Sequence, residues 1–100
     1  MSYRVSLLPE ARKDLDAMPA AVREQTVKQL RVLADNPTAL SRRSRFPFIE
    51  RCQLYTFDCD HELQRWEINV LFQYGADEQT IHVLMIGRAV WDLGDGIDPA

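Results

Sequence analysis

Arg42, Arg43, Arg45 and Arg51 crowd one stretch of a chain whose formal net charge is −3. A guanidinium is always charged and presents a planar fork of donors, so clustered arginines are a natural contact for phosphate or carboxylate oxygens. The same cluster can equally be a solvated loop, and charge alone favours that plainer reading. Histidine is the side chain type suited to proton transfer near neutral pH, which makes His61 and His82 candidate acid–base groups. His61 is expected in a polar turn and His82 in a strand, where solvation or packing also accounts for them. Cys52 and Cys59 read as free thiols of a reducing compartment, serving as small core or sheet residues. With His61 they would form a Cys-x6-Cys-x-His set, a spacing that fits no common zinc pattern and lacks a fourth ligand. No metal and no cofactor are expected.

Composition limits what these groups can belong to. One hundred residues make one domain, and 46% hydrophobic residues are enough for one core. The two halves differ in charge: residues 1–50 hold 9 Lys/Arg against 6 Asp/Glu, and residues 51–100 hold 3 against 9. With a pI near 5.3, any polyanion contact must be local. No apolar run approaches the roughly 20 residues of a membrane span. The first residues lack the pattern of a signal peptide, so a cytoplasmic, membrane-free protein is expected.

The elements that must position these groups follow from periodicity. Tyr3, Val5 and Leu7 alternate with Arg4 and Ser6, the pattern of a strand with one buried face. Pro9 suits the first position of a helix carrying Ala11, Leu15 and Met18 on one side, ending near Met18. Pro19 opens a second helix with the apolar stripe Val22, Thr26, Val27, Leu30, Leu33 and Ala34. Asn36-Pro37 ends it, because a residue before proline avoids the helical region. Residues 38–50 read as a loop. Three strands follow, at 51–59, 66–74 and 80–88, separated by polar turns at 58–65 and 75–79. In the middle strand Trp66, Ile68, Val70, Phe72 and Tyr74 share one face, expected to pack on the helix hairpin. Leu71 falls on the opposite face, expected to look toward solvent or a partner. The order is β-α-α-β-β-β: an α+β domain over residues 1–91, with the helix hairpin on one face of a mostly antiparallel sheet. Residues 92–100 read as a loose acidic tail carrying Asp92, Asp95 and Asp98. Those carboxylates can swing back toward Arg51 or Arg88 and stand in for a phosphate, or serve only as a solubilising tail.

Several landmarks in this order resemble the RelE/ParE superfamily of type II toxin–antitoxin systems. Tyr3-Arg4-Val5 followed by Pro9-Glu10-Ala11-Arg12-Lys13-Asp14-Leu15 looks like the family's opening strand and PEA-x-x-D-L helix. Pro19 to Pro37, with Val22-Arg23, Leu30, Leu33 and Asn36-Pro37, looks like its long second helix. Val83-Leu84-Met85-Ile86-Gly87-Arg88-Ala89-Val90-Trp91 looks like its last strand and terminus. The resemblance implies one of two activities. RelE-type members cleave mRNA in the ribosomal A site, leaving a 2′,3′-cyclic phosphate. ParE-type members poison DNA gyrase without cutting anything. Both are silenced by a cognate antitoxin that wraps the toxin.

Cleavage needs a deprotonated 2′-hydroxyl, a stabilised phosphorane and a protonated leaving oxygen, supplied in the family by cations and an aromatic hydroxyl on the open face of the sheet. Carried over by position, this chain keeps Arg51 and Arg88 as candidate catalytic cations. Gln53 replaces a second basic residue, Asn69 an arginine and Phe72 a tyrosine. Trp91 stands at the terminal tyrosine, and an indole N–H cannot shuttle a proton. Arg88 can instead be a strand-end residue paired with a carboxylate. Arg42, Arg43, Arg45 and Arg65 are the candidate nucleic-acid contacts. The resemblance therefore leaves three readings: an mRNA endonuclease with an altered site, a non-enzymatic gyrase inhibitor or antitoxin-binding protein, and a reuse of the fold for interaction only.

Overall fold

The structure is a computed structural model that describes residues 2–44 and 51–93. Strand β1 (Arg4–Leu7) leads into helices α1 (Pro9–Asp16) and α2 (Ala20–Asp35), followed by the single helical turn α3 (Pro37–Leu40). Then come β2 (Arg42–Arg43), β3 (Gln53–His61), β4 (Gln64–Tyr74) and β5 (Thr80–Asp92). The sheet order is β1-β5-β4-β3-β2, with β1 parallel to β5 and the other pairs antiparallel. This is the expected α+β arrangement. No helix among the described residues is long and apolar enough to cross a membrane.

Both helices form where the apolar spacing places them. Pro9 occupies the first turn of α1, where its missing N–H costs nothing, and Pro19 caps α2. Val22, Thr26, Leu30, Leu33 and Ala34 are all buried. The buried Thr26 hydroxyl donates to the Val22 carbonyl at 2.9 Å, so it leaves no unsatisfied group in the core. Facing them are Ile68, Val70 and Phe72 of β4 and Ile81 and Val83 of β5, all fully buried. Burying side chains of this size contributes about 1.5–3 kcal/mol each. The Tyr55 hydroxyl donates to Gln29 Oε1 at 2.6 Å and ties β3 to α2; burial pushes its phenol pKa up.

Four expectations are corrected. First, the described part of the loop expected at 38–50 carries regular structure: Pro37 starts α3, and Arg42 and Arg43 pair with Leu54 and Gln53 as an edge strand. Second, the turn expected over 58–65 shrinks to Glu62 and Leu63, with φ of 48° and 61°. Two left-handed residues make a tight hairpin turn whose twist matches the strands, so pairing continues to His61 and Gln64. Third, β4 then reaches far enough to hold β5 beyond Arg88, out to Asp92. Asp92 is therefore a strand residue, its carboxylate accepting from Gln64 Nε2 at 3.2 Å, rather than the start of a loose tail. Asp95 and Asp98 lie outside the described residues. Fourth, Val5 is 36% exposed at the sheet edge, and Leu71 is only 5% exposed, flanked in register by Leu54 and Met85.

One irregularity organises β5. Leu71 pairs with Met85 but Phe72 pairs with Val83, so β5 carries an extra residue, Leu84, at a β-bulge. Strand side chains alternate, so one inserted residue reverses the faces beyond it. Ile81 and Val83 face the helices before the bulge; Ile86, Arg88 and Val90 share that face after it, opposite Val70, Ile68 and Trp66. β1 pairs with β5 only as far as Val83. Beyond that point Asp14 of α1 accepts the Ile86 N–H at 2.9 Å, closing part of the edge with a charge-assisted bond. We expect Asp14→Ala to destabilise the protein by about 1–2 kcal/mol in chemical denaturation, the scale of losing such a bond. Amide exchange should quicken first at Ile86. Unchanged exchange there would show that the carboxylate does not hold this edge.

Candidate functional site

The arginines fall into separate places. Arg88 stands opposite Ile68, on the helix-side face, and projects as an exposed side chain with its guanidinium 5.5 Å from the Trp66 ring centroid. The family resemblance placed it on the open face; the bulge is the physical reason it lies on the other. Trp66 is 7% exposed, and its buried indole N–H has no hydrogen-bond partner among the described residues. Stacking on a tryptophan face is worth about 0.5–1 kcal/mol for an exposed cation and fixes the direction of the guanidinium.

Arg51 lies elsewhere. Phe57 is opposite Ile68, which is opposite Arg88; β3 from Gln53 to Phe57 covers on the order of 13 Å at strand rise, and Arg51 lies before the strand begins. Two strand spacings add to that separation. The two candidate catalytic cations are thus separated both along and across the sheet. Arg51 instead joins Arg43 at the far end of the sheet, where β2 pairs Arg43 with Gln53. Arg43, Arg51, Gln53, Gln73, Tyr74 and Glu78 line a cleft of about 650 Å³ there. Sequence reading missed Tyr74, Gln73 and Glu78 as site residues, because only the β2–β3 and β4–β5 pairings bring them beside the two arginines.

Arg42 pairs with Leu54 and shares a shallower hollow with Leu40, Ser41 and Thr56. Arg65 donates through Nε to Asp60 at 3.1 Å, so its charge is largely answered. Arg45 lies outside the described residues. On the open face of the ribbon, the rungs Asp58↔Glu67 and Asp60↔Arg65 place three carboxylates around one guanidinium. The Thr56 hydroxyl donates to Asn69 Oδ1 at 2.7 Å, and Asn69 Nδ2 approaches Glu67 Oε1 at 3.4 Å. Trp91 is about half exposed and opposite Arg65. Phe72 is a fully buried core residue on the helix side.

The remaining candidates are placed plainly. His61 ends β3 with Nε2 3.8 Å from Glu62 Oε2, and His82 is half-buried opposite Gln73. Cys52 and Cys59 are both free. Burial pushes both thiols up; a hydrogen bond with Gln73 partly offsets this at Cys52, whereas neighbouring Asp60 adds to it at Cys59. Raised thiols are poor nucleophiles at neutral pH.

No family model matches the chain, and no curated protein matches it in sequence. Solved structures do match. A chain of the RelBE2 toxin–antitoxin complex of Mycobacterium tuberculosis superposes with a TM-score of 0.63 at 19% identity, covering 89% of this chain and 100% of that one. The intact RelBE complex of E. coli gives 0.61 at 19% identity, covering 88% and 98%. The archaeal RelE–RelB complex of Pyrococcus horikoshii gives 0.54 at 14% identity, covering 96% and 100%.

The chain has the RelE toxin fold. Within the RelE fold as built here, the cleft wall depends on the β4–β5 turn. Asp77 accepts from the N–H groups of Gln79 and Thr80 at 3.0 and 3.1 Å and from the Thr80 hydroxyl at 3.0 Å. Those bonds, the Gln79 backbone first, hold its carboxyl below the usual aspartate value. A lowered folded-state pKa gives stability that is present above the unfolded value and lost as pH falls through the folded one. Asp77→Ala should therefore be less stable than wild type at pH 7, and the gap should narrow on acidification below the ordinary aspartate range. A gap independent of pH would assign the effect to turn geometry alone.

Proposed function

We propose that this protein is the toxin subunit of a type II toxin–antitoxin pair, held silent in the bacterial cytoplasm by a cognate antitoxin. The observation that carries this is the RelE fold itself, matched over nearly the whole chain to proteins described as parts of toxin–antitoxin complexes. Fold alone does not dictate chemistry, so the mechanism has to be argued from the side chains.

Those side chains favour inhibition by binding over RNA cleavage. Cleavage by the 2′-hydroxyl requires cation and proton carrier around one phosphorus atom. Here Arg88 is stacked on Trp66 on the helix side, Arg51 lies before β3 at the other end of the sheet, and Arg65 is engaged by Asp60. Asp58, Asp60 and Glu67 give the open face a charge that repels phosphate. Arg88 then serves as a recognition contact for a macromolecular target such as DNA gyrase. A second reading, a ribosome-dependent mRNA endonuclease with a displaced site, draws on Arg43, Arg51 and Tyr74 lining one cleft.

Co-expression with the product of a small open reading frame found adjacent to the gene should yield a stable complex and relieve growth inhibition. A chain that never binds that product, and never inhibits growth, would refute the toxin reading. Induction followed by ribosome profiling, set beside a gyrase cleavage assay, separates the mechanisms: binding predicts no new 2′,3′-cyclic phosphate ends. Arg88→Ala should weaken toxicity more than Arg23→Ala, because Arg23 belongs to the helix hairpin and not to the sheet. Equal toxicity of the two variants would make Arg88 structural.

A further inference from the structure

We propose that the cleft at the β2–β3 end of the sheet binds a nucleoside 5′-phosphate, with the phosphate held between Arg43 and Arg51. The cleft is separate from Arg88, and the inference does not rest on the toxin reading.

Three observations converge on it. The cleft, of about 650 Å³, lies within the size range of small-ligand sites. Among the described residues, neither Arg43 nor Arg51 has a carboxylate within salt-bridge distance, whereas Arg65 does. Both arginines line the cleft, and guanidinium forks are suited to bridging the oxygens of a phosphate. Arg51 also has φ of 59°. Left-handed backbone costs a non-glycine residue roughly 1–2 kcal/mol, and glycine would avoid that cost. An arginine at such a position is explained if its side chain is needed there.

The other lining groups fit the rest of a nucleotide. Gln53 is directly opposite Arg43 in the sheet register, and Gln73 borders the same space. The Gln53 amide, whose Oε1 accepts from the Ser41 hydroxyl at 3.5 Å, carries N–H donors suited to a base edge or a ribose hydroxyl, whereas Gln73 alternates to the opposite face and is hydrogen-bonded with Cys52. The Tyr74 hydroxyl is 3.1 Å from Thr38 Oγ1, and its ring packs edge-on against Phe72 at 5.8 Å between centroids, so the side chain is positioned before any ligand arrives. Glu78 is the opposing charge in the cleft. Among the described lining residues it leaves two cations against one carboxylate, which sets a measurable sign: removing the carboxylate charge should help an anion bind.

The phosphate can come from a free mononucleotide or from the 5′ end of an RNA strand, and calorimetric titration of the full chain distinguishes them. The probes are inorganic phosphate, adenosine and uridine 5′-monophosphates, the unphosphorylated nucleosides, and a short oligoribonucleotide with a 5′-phosphate or a 5′-hydroxyl. Saturable binding of the monophosphates and none of the nucleosides is expected for a free nucleotide. Binding confined to the 5′-phosphorylated strand assigns the strand end. Arg51→Gly should weaken binding about tenfold, the scale of one charge-assisted contact, while keeping or raising thermal stability because glycine suits that backbone. Glu78→Gln should tighten binding, and Arg23→Ala should leave it unchanged. Equal binding of 5′-hydroxyl and 5′-phosphate strands would overturn the proposal. So would full affinity in Arg51→Gly at unchanged stability, or an equal loss in Arg23→Ala.

Discussion

The bulge at Leu84, together with the Asp14 carboxylate on the Ile86 N–H, sets how the far half of β5 is presented. Up to Val83 the strand is paired on both sides, by β1 and β4. Past the bulge β1 has ended and its place at the edge is taken by a side chain from α1. The inserted residue turns Ile86 into the core and carries Arg88 and Val90 to the same side. Without it, simple alternation from Val83 would put Arg88 on the open face. A single residue of register thus decides which surface the most conspicuous cation of the acidic half belongs to.

That decision divides the molecule electrostatically. The long ribbon of β3 and β4 ends in a tight two-residue turn, and its open face carries Asp58, Asp60 and Glu67 with Arg65 tied among them. The opposite end of the sheet collects Arg43 and Arg51 around a cleft. Arg88 belongs to neither, being held over Trp66 on the helix side. The cations matched to the family by position, Arg51 and Arg88, thus fall at different places on the sheet, while Arg43 comes from β2 to join Arg51 at the cleft.

Much of the fold is legible in the residues. Pro9, Pro19 and Asn36-Pro37 mark the helix boundaries because proline restricts backbone on both sides of itself. The stripe from Val22 to Ala34 marks the buried face of α2, and Ile68, Val70 and Phe72 mark the core side of β4. These signals are local: each depends on a side chain and neighbours a few positions away. The arginines, the cysteines and the departures at Gln53, Asn69, Phe72 and Trp91 are legible as residue types, with charge and hydrogen-bonding capacity known in advance.

What only the tertiary structure decided is which of those groups meet. The Glu62-Leu63 turn has none of the glycine or asparagine that usually announces two left-handed residues, so the hairpin length, and with it the reach of β5 to Asp92, depends on strand twist and pairing. Leu71 follows the alternation of a solvent-facing position but is buried between Leu54 and Met85, a matter of cross-strand neighbours. The bulge leaves no composition signal, yet it moves Arg88 from one face to the other. The cleft needs Arg43 and Gln53 from one pairing and Tyr74 and Glu78 from another, residues far apart along the chain. The sequence by itself determined the periods, the breaks and the charges. Register, which is a property of pairs of strands and of no single one, determined the site.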